Sequence, residues 1–445
     1  MQKQIFSEIK DELLNDILPY WQKNACDTNP STSGFYGKID NNNVADSKMS
    51  RSIVMTSRFL WAYSAAARLT KNPEYLKMAD FAYETIINKF WDKKNSGVYW
   101  SVKPDGTPDV SKKQIYGEAF CCYGLSEYAA ALKELRESSE KTENSDQPQS
   151  SVAMDYALDL YNLLEEYAYD KNQGGYVEAR AIDWKETDDM ILSPKDMNCP
   201  KSMNTNLHVM EAYTNLYRTL PVVYGSFDNS DCDSVENSDR HSDFQMAGGS
   251  VRAEVGESLS KLVRITVDKI LQKNGHLGMF FDMDWNLLMD EQSYGHDIEA
   301  SWLLWEAATE LCDEELKNYI HDTVLFIADV TLKEGFDSEN GATENFLRDG
   351  GTKHDRTRVW WNQAEGLNGF YNAWEMTGDE KYEKAVELQW NWIKNHQIDK
   401  KGGEWWNALD VNGNPILEED KGGNWKTAYH SGRACMELLR RSKTL

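Results

Sequence analysis

The chain is short of positive charge. Its 445 residues carry 48 Lys and Arg against 73 Asp and Glu, a formal net charge of −25 at pH 7. Proteins that bind nucleic acid need a basic footprint, and an anionic membrane surface attracts basic side chains. The charge balance therefore argues against both classes of partner and favours a freely soluble protein.

Long apolar runs are also missing. No stretch approaches the about 18 apolar residues that a membrane span requires. The segment 1–14 (MQKQIFSEIKDELL) lacks the basic and apolar regions of a secretory signal. The seven cysteines are odd in number and contain no CxxC, a pattern typical of reduced thiols rather than of disulfides or zinc sites. We therefore expect a cytoplasmic protein.

Metal-ligand motifs are absent as well, since there is no HExxH and the histidines come from separate segments. We expect neither a metal nor another cofactor. What the sequence has in abundance is aromatic: 16 Trp, 22 Tyr and 14 Phe. Such a composition fits a large aromatic core, and it also fits a site whose indoles stack on flat apolar faces such as those of sugar rings.

Six short segments share a glycine followed by aromatic or small residues and a polar turn. They begin at Gly34, Gly97, Gly175, Gly278, Gly341 and Gly403, at intervals of 63, 78, 103, 63 and 62 residues. The two long intervals contain low-complexity segments near 137–151 and 224–255, which are too polar to bury much surface. Removing about 15 and 40 residues restores one period. This predicts a single domain, 1–445, of six repeats with two surface insertions.

Each repeat has room for two helices. Helical periodicity predicts twelve, near 3–24, 50–70, 73–91, 113–136, 152–169, 203–220, 256–273, 295–312, 314–332, 357–376, 379–396 and 426–442. The glycine-aromatic segments between helix pairs are predicted to form short hairpins. The expected fold is therefore all-α, an (α/α)6 barrel with two concentric rings of helices. A straight α-solenoid is the alternative, disfavoured because neither end resembles a polar capping repeat.

The even-numbered predicted helices are apolar nearly all round, as buried helices are, yet each carries polar groups in its N-terminal half. Buried charges are costly unless they are paired or functional, so these groups predict a site at one end of the barrel. They are Arg58; Tyr116 and Glu118; Asn204, His208, Glu211 and Asn215; His296 and Glu299; Trp360, Trp361, Gln363 and Glu365; and Trp425, His430 and Arg433.

These residues also have structural interpretations. His208 could be a satisfied core histidine, and His296 with Glu299 could be an ordinary helical pair three residues apart. Arg58 could form a structural ion pair with Glu118 or Glu365, and Trp360 and Trp361 are as compatible with the core as with a sugar platform. The pattern by itself leaves these alternatives open.

Four segments taken together resemble the N-acylglucosamine 2-epimerase superfamily, and within it the cellobiose 2-epimerase branch. They are NTNLHVMEAY around His208, YGHDIEASWLL around His296, WWNQAEGLNGFYNAW around Trp361 and WKTAYHSGRA around His430. The resemblance extends from Arg58 to Arg433 outside the insertions and implies an (α/α)6 barrel. The chain departs from the family pattern at Ser431, where an amide residue is expected, and in its two acidic insertions.

The resemblance also implies roles for individual residues. His296 and His430 would be the acid/base pair, assisted by Arg58, Glu299 and His208, with Glu299 orienting His296. The substrate-binding residues would be Tyr116, Asn204, Trp302, Trp361, Glu365 and Trp425.

The implied activity is C2 epimerisation of the reducing-end glucose of a β-1,4-linked disaccharide, cellobiose to glucosyl-mannose or lactose to epilactose. Ring opening and an enediolate would allow two histidines to move protons at opposite faces of C2. The alternatives are an aldose–ketose isomerase acting on mannose, an N-acylglucosamine 2-epimerase, an (α/α)6 glycoside hydrolase and a non-catalytic sugar-binding protein. We expect a small-molecule disaccharide as partner, no nucleic acid or membrane, and a monomer or weak dimer.

Overall fold

The computed structural model describes residues 3–137, 148–225 and 242–444, and this part of the chain contains twelve helices. The even-numbered ones are α2 (Ile53–Thr70), α4 (Ile115–Leu132 and Lys133–Glu137), α6 (Met203–Tyr224), α8 (Tyr294–Glu310), α10 (Trp360–Thr377) and α12 (Tyr429–Ser442). The odd-numbered ones are α1 (Lys3–Asp11, Glu12–Ile17 and Leu18–Asn24), α3 (Pro73–Tyr75, Leu76–Thr85 and Ile86–Phe90), α5 (Gln149–Leu163 and Leu164–Ala168), α7 (Ser242–Ile265 and Thr266–Ile270), α9 (Glu314–Glu334) and α11 (Glu380–Trp392 and Ile393–Gln397).

The even-numbered helices form a closed inner ring. Each packs against the next, from α2 through α12, and α12 returns to α2. Each outer helix packs on the inner helix that precedes it, and α1 packs on α12. The predicted all-α (α/α)6 barrel is confirmed, and the closure of the ring excludes a straight solenoid.

Burial separates the two rings. Every residue of the segment Ile115–Leu132 in α4 is buried, whereas Leu76–Thr85 in α3 buries mainly one face. An inner helix is covered by two neighbours in the ring and by an outer helix, so its sequence is apolar all round. None of the helices in the described ranges has the length and hydropathy needed to cross a bilayer.

Short antiparallel strands join consecutive repeats at the end of the barrel where the inner helices begin. The pairs are Arg51–Ser52 with Ser101–Val102, Lys113–Gln114 with Ala179–Arg180, Lys201–Ser202 with Phe280–Phe281, Glu291–Ser293 with Phe346–Arg348, Arg358–Val359 with Ala408–Leu409, and Gly422–Gly423 with Lys38–Ile39. The last pair links the sixth repeat to the first. Further strands are Cys26–Asp27 with Gly34–Phe35, Phe336–Asp337 with Ala342–Thr343, Pro108–Val110 on Ser101–Val102, and Lys353–Asp355 on Phe346–Arg348.

A buried ion pair recurs beside the inner helices. The pairs are Asp27 with Arg51, Asp92 with Lys113, Asp170 with Lys201, Asp337 with Arg358 and Asp399 with Lys421, at 2.6, 3.0, 2.6, 2.7 and 2.5 Å. Each Asp lies just beyond an outer helix, and each cation lies in or beside the strand that precedes an inner helix. In the repeat that contains α8, Gln272 and Gln292 stand at these positions. The ion pairs therefore fix the hairpin to the inner helix in five of the six repeats that the described residues form.

The fourth residue of four inner helices also binds a hairpin. Glu118, Asn206, Asp297 and Gln363 accept hydrogen bonds from the backbone amides of Val98, Tyr176, Leu277 and Thr343. The hairpin approaches closely: Gly97 has φ +72°, and a Cβ there would lie 2.6 Å from the Trp184 ring. Glu118 and Gln363 thus belong to the hairpin supports, and their predicted place in the polar site is wrong.

The insertion boundaries also differ from the prediction. Helix α7 begins at Ser242 rather than near 256, and α5 begins at Gln149, inside the predicted insertion 137–151. An outer helix buries only one face, so it continues through polar sequence in which apolar periodicity is weak. The remainder of the two predicted insertions, 138–147 and 226–241, lies outside the described residues.

Candidate active site

Side chains from the six inner helices meet inside the ring, at the end where these helices begin. The second or third helical residue supplies an upper layer, Tyr116, Asn204, His296, Trp361 and His430. The fifth or sixth supplies a deeper layer, Arg58, Phe120, His208, Glu299, Glu365 and Arg433. Residues about four positions apart lie on one face of a helix, one turn apart. Because the six inner helices begin at the same end of the barrel, side chains from six separate segments of the chain form two layers inside the ring.

His430 is held by a carboxylate. Its Nδ1 lies 2.7 Å from Oε1 of Glu365. The same carboxylate accepts hydrogen bonds from Nε1 of Trp302 at 3.1 Å and from Arg433 at 2.7 Å. A carboxylate at Nδ1 keeps the proton of a neutral imidazole on that nitrogen and leaves Nε2 free to act as a base. Trp302 and Glu365, predicted to bind substrate, are fully buried and hold His430 instead.

His296 is held by a hydroxyl. Its Nδ1 lies 2.7 Å from Oγ of Ser293, the residue before α8, and its ring packs on Trp361 with centroids 4.6 Å apart. The prediction that Glu299 orients His296 is wrong, because Glu299 accepts a hydrogen bond from Arg433 instead. Glu299 lies about one turn deeper on α8, where the guanidinium of Arg433 is within reach.

All three histidines of the site favour the neutral form. Burial is the largest cause of the lowered pKa of each imidazole. The pKa of His296 falls to about 3, because neighbouring His208 lowers it further. The positive charges of Arg58 and Arg433 lower the pKa of His430 further. His208 keeps its Nδ1 2.8 Å from Oε2 of Glu211, which opposes the lowering of its pKa. Unprotonated imidazoles at neutral pH are ready to accept protons.

Arg433 connects three carboxyl groups in the deeper layer. Its guanidinium donates hydrogen bonds to Glu211, Glu299 and Glu365, and at 2.6 Å to the hydroxyl of Tyr429. Although burial opposes it, the charge of Arg433 lowers the pKa of Glu211 to about 2. Burial, reinforced by Glu365, raises the pKa of Glu299 well above its ordinary value, so this pair of carboxyl groups retains a proton.

One group of potential metal ligands arises from this packing. Ligand atoms of Glu299, Glu365 and His430 lie within 4.8 Å of one another. Sequence spacing missed the group because its members come from three helices. Each carboxylate already accepts a hydrogen bond from Arg433, which supplies positive charge at this point.

Arg58 belongs to the deeper layer and is 3% exposed, and its guanidinium reaches toward the mouth of the lumen. It donates to the carbonyl oxygen of Trp425 at 2.7 Å and to the hydroxyl of Tyr116 at 2.9 Å, and it stacks over Phe120 at 4.5 Å. The alternative of an ion pair with a carboxylate is not found in the described part of the chain. Among the residues that the structure describes, the guanidinium of Arg58 is therefore oriented by neutral acceptors rather than by a carboxylate.

Three aromatic side chains, those of Trp100, Tyr116 and Trp425, form an aromatic wall at the mouth of the lumen. Trp425 is 37% exposed, with Tyr116 at 5.9 Å and Trp100 at 6.0 Å between ring centroids. Trp100 lies in a hairpin, directly before the strand Ser101–Val102, and was not among the predicted site residues. The signal that would have found it is the glycine-aromatic hairpin motif itself (GVYW), whose last residue is Trp100. Asn204, predicted to bind substrate, keeps Oδ1 buried without a partner among the described residues.

Comparison with known proteins places the chain in a family. The model for N-acylglucosamine 2-epimerase (GlcNAc 2-epimerase) matches residues 34–217 and 256–434. A cellobiose 2-epimerase of Bacteroides fragilis is 37% identical over 442 residues, 99% of this chain and 100% of the relative. A cellobiose 2-epimerase of Dictyoglomus turgidum is 34% identical over 443 residues, 99% of each chain.

Solved structures agree with this assignment. The cellobiose 2-epimerase of Bacillus thermoamylovorans B4167 superposes with a TM-score of 0.82 at 32% identity, over 99% of this chain and 100% of that one. A D-mannose isomerase shares the fold, with a TM-score of 0.76 at 20% identity over 99% and 98% of the two chains. Together with the match over residues 34–217 and 256–434, these similarities show that the chain belongs to the N-acylglucosamine 2-epimerase family.

Proposed function

We propose that this protein is an isomerase of the cellobiose 2-epimerase type, which inverts C2 of the reducing-end glucose of a β-1,4-linked disaccharide. The observation that carries the proposal is the pairing of His296 and His430 beside one indole, Trp361, at 4.6 and 5.9 Å between ring centroids. The two imidazoles come from different helices, so a sugar bound at the indole would have one on each side. The full-length relatives named cellobiose 2-epimerase support the same substrate class.

The chemistry requires a base and an acid that act on opposite faces of C2. After the ring opens, one histidine takes the C2 proton while the C1 carbonyl becomes an enediolate oxygen. The other histidine, which enters the turnover as imidazolium, returns a proton to the opposite face and becomes neutral, which inverts the centre. Burial lowers the pKa of His296 and His430, so the imidazolium form of each readily gives up its proton. In each turnover one imidazole gains a proton and the other loses one.

Charge that develops on the enediolate oxygens needs a positive partner. Arg58 offers one near the mouth, and a charged donor placed before the reaction contributes on the order of a few kcal/mol to transition-state stabilisation. Glu211 keeps the proton of neutral His208 on Nδ1, so Nε2 of His208 is an acceptor for a sugar hydroxyl during ring opening. We propose that no metal or nucleotide takes part, because these groups supply the charge and the proton transfers that the reaction needs.

The site fits epimerisation better than hydrolysis. A glycosidase needs two carboxyl groups flanking the scissile bond. Here Glu211, Glu299 and Glu365 all bind Arg433 in the deeper layer, at most 4% exposed. The aromatic wall of Trp100, Tyr116 and Trp425 would stack on the second sugar of a disaccharide.

The test is incubation with cellobiose, lactose and mannose in D2O, followed by chromatography and mass spectrometry of the sugars. We expect glucosyl-mannose and epilactose, each with deuterium at C2. Retention of the C2 proton would contradict the enediolate. Free glucose would indicate a hydrolase, conversion of mannose alone a ketose-forming isomerase, and binding without turnover a sugar-binding protein. The monomeric or weakly dimeric state and the cytoplasmic location remain predictions.

A further inference from the structure

The two histidines of the site differ in what holds Nδ1. Glu365, at 2.7 Å from His430, presents a carboxylate that accepts three hydrogen-bond contacts. Ser293, at 2.7 Å from His296, presents a hydroxyl, which can either accept a hydrogen bond or donate one. The carboxylate therefore places a negative charge beside its imidazole, and the hydroxyl does not.

Ser293 occupies a position where serine ordinarily caps a helix. Ser52 and Ser202 precede α2 and α6 in the same way, and each accepts a hydrogen bond at 3.1 Å from the amide three residues later. Ser293 precedes α8 but forms no such cap within the described residues, because its hydroxyl faces the His296 ring. A cap of this kind ordinarily stabilises a helix. In the repeat that contains α8 this stabilisation is absent, and the Ser293 hydroxyl holds the imidazole of His296 instead.

The backbone around Ser293 is fixed independently of His296. Ser293 pairs with Phe346 in the strand ladder and is 5% exposed. Two residues earlier, Glu291 forms an ion pair with Arg348 of the same ladder. This is also the repeat in which Gln272 and Gln292 stand where the other repeats have an ion pair. A three-stranded arm, Glu291–Ser293, Phe346–Arg348 and Lys353–Asp355, thus sets the position of the Ser293 hydroxyl.

We propose that Ser293 is a positioning residue for His296, and that the two histidines are therefore held by partners of unequal charge. Because Oγ accepts from Nδ1–H, Nε2 of neutral His296 is free to take the C2 proton. The imidazolium that forms keeps the same hydrogen bond, and it becomes neutral again when Nε2 returns a proton to the sugar carbon. Glu365 holds His430 in the same way and also stabilises its imidazolium through negative charge, which a hydroxyl cannot supply. This inference rests on the proposed epimerase function.

Loss of the hydroxyl should slow proton transfer on one face of C2. In Ser293→Ala, an epimer whose proton is taken by His430 forms the enediolate normally but is reprotonated mainly by His430. That epimer then gains deuterium from D2O without being converted. The other epimer, whose proton is taken by His296, reacts slowly and gains little label. Net epimerisation should fall about ten- to a hundredfold, as for other partners that orient a reacting imidazole.

The experiment measures deuterium at C2 of recovered starting sugar, from cellobiose and from its C2 epimer separately. We expect Ser293→Ala to label one epimer strongly, Glu365→Gln to label the opposite one, and Ser293→Thr to restore the wild-type ratio. Ser202→Ala is the matched control. It should lower Tm through loss of a cap without changing the ratio. Equal labelling of both epimers by Ser293→Ala would overturn the inference. A wild-type protein that exchanges no C2 proton would overturn the epimerase proposal itself.

Discussion

Buried charges occur in two regions of this barrel, and they are arranged differently. At the hairpins, one acid meets one base, as in Asp92 with Lys113 and Asp170 with Lys201, and the pair recurs in five repeats of the described chain. In the lumen, Arg433 serves Glu211, Glu299 and Glu365, and none of these groups has an equivalent at the same position of every repeat.

Burial and ion pairing are common to both regions, so neither identifies function. Repetition along the chain distinguishes the two regions, since a group that every repeat needs in order to fold appears in nearly every repeat. A polar or charged group that does not recur in this way is a candidate for chemistry. By this criterion we interpret Lys113 and Lys201 as structural and propose that His296, His430 and Arg58 are functional.

His430→Ala removes a group that occurs once. We expect epimerisation of cellobiose to fall by about 10²- to 10⁴-fold, because the proton transfer on one face of C2 loses its general acid/base. Binding of cellobiose, followed by calorimetry, and Tm should change little. His321→Ala on the outer ring, with a side chain 45% exposed, is the control and should keep full activity. Full activity in His430→Ala would remove this residue from the acid/base pair.

Lys201→Met breaks a pair that recurs. Lys201 is fully buried against Asp170, and an unpartnered buried carboxylate costs about 3–5 kcal/mol. We expect a matching loss in the free energy of unfolding in urea, with kcat of the folded enzyme unchanged. Lys185→Met is the control, since its partner Asp183 and Lys185 itself are exposed, and it should change stability by less than about 1 kcal/mol. A selective loss of kcat in Lys201→Met would contradict the division by repetition.

Glu118→Gln tests a hairpin support through pH. Burial raises the pKa of Glu118 to about 8, above the ordinary 4.5. Its contribution to stability is therefore complete below about pH 4.5 and is lost as pH rises through 8, at up to about 1.4 kcal/mol per pH unit. The wild type should lose stability over this range, and Glu118→Gln, which still accepts from Val98, should lose less. Parallel pH profiles of unfolding free energy for the two proteins would refute this.

Trp100→Ala probes the mouth. Because the indole would stack on the distal sugar and not on the reacting carbon, KM for cellobiose should rise about five- to tenfold, an effect of about 1 kcal/mol. We expect kcat to stay within about twofold of the wild type, since the histidines are untouched. Steady-state kinetics with cellobiose and with glucose would show whether Trp100 contacts the distal sugar or the reducing-end sugar. An equal rise of KM for glucose would place Trp100 at the reducing-end sugar instead.

Much of the fold was predictable because it is local. The glycine-aromatic period gave six repeats, and helical periodicity gave twelve helices close to their observed bounds, from α2 (Ile53–Thr70) to α10 (Trp360–Thr377). The start of α7 at Ser242 was missed, since an outer helix tolerates polar sequence that shows little period.

The sequence predicted which residues belong to the candidate site better than it predicted the role of each residue. His296, His430, Arg58 and His208 were found as polar residues on apolar helices, and the structure brings them together. Trp302 and Glu365 were expected at the sugar, and they support His430 instead. Ser293 was overlooked because a serine before a helix ordinarily caps it, and nothing in its sequence position distinguishes it from Ser52 or Ser202.

The sequence by itself therefore determined the repeat number, the inner and outer helices and the polar groups that face the lumen, since each follows from residue spacing along one element. Only the tertiary structure decided the partners: Glu365 for His430, Ser293 for His296, and Arg433 for the three carboxylates. Partner choice depends on distances between helices that are far apart in sequence, and on competition among neighbours for the same donor. Those quantities exist only once the ring has closed.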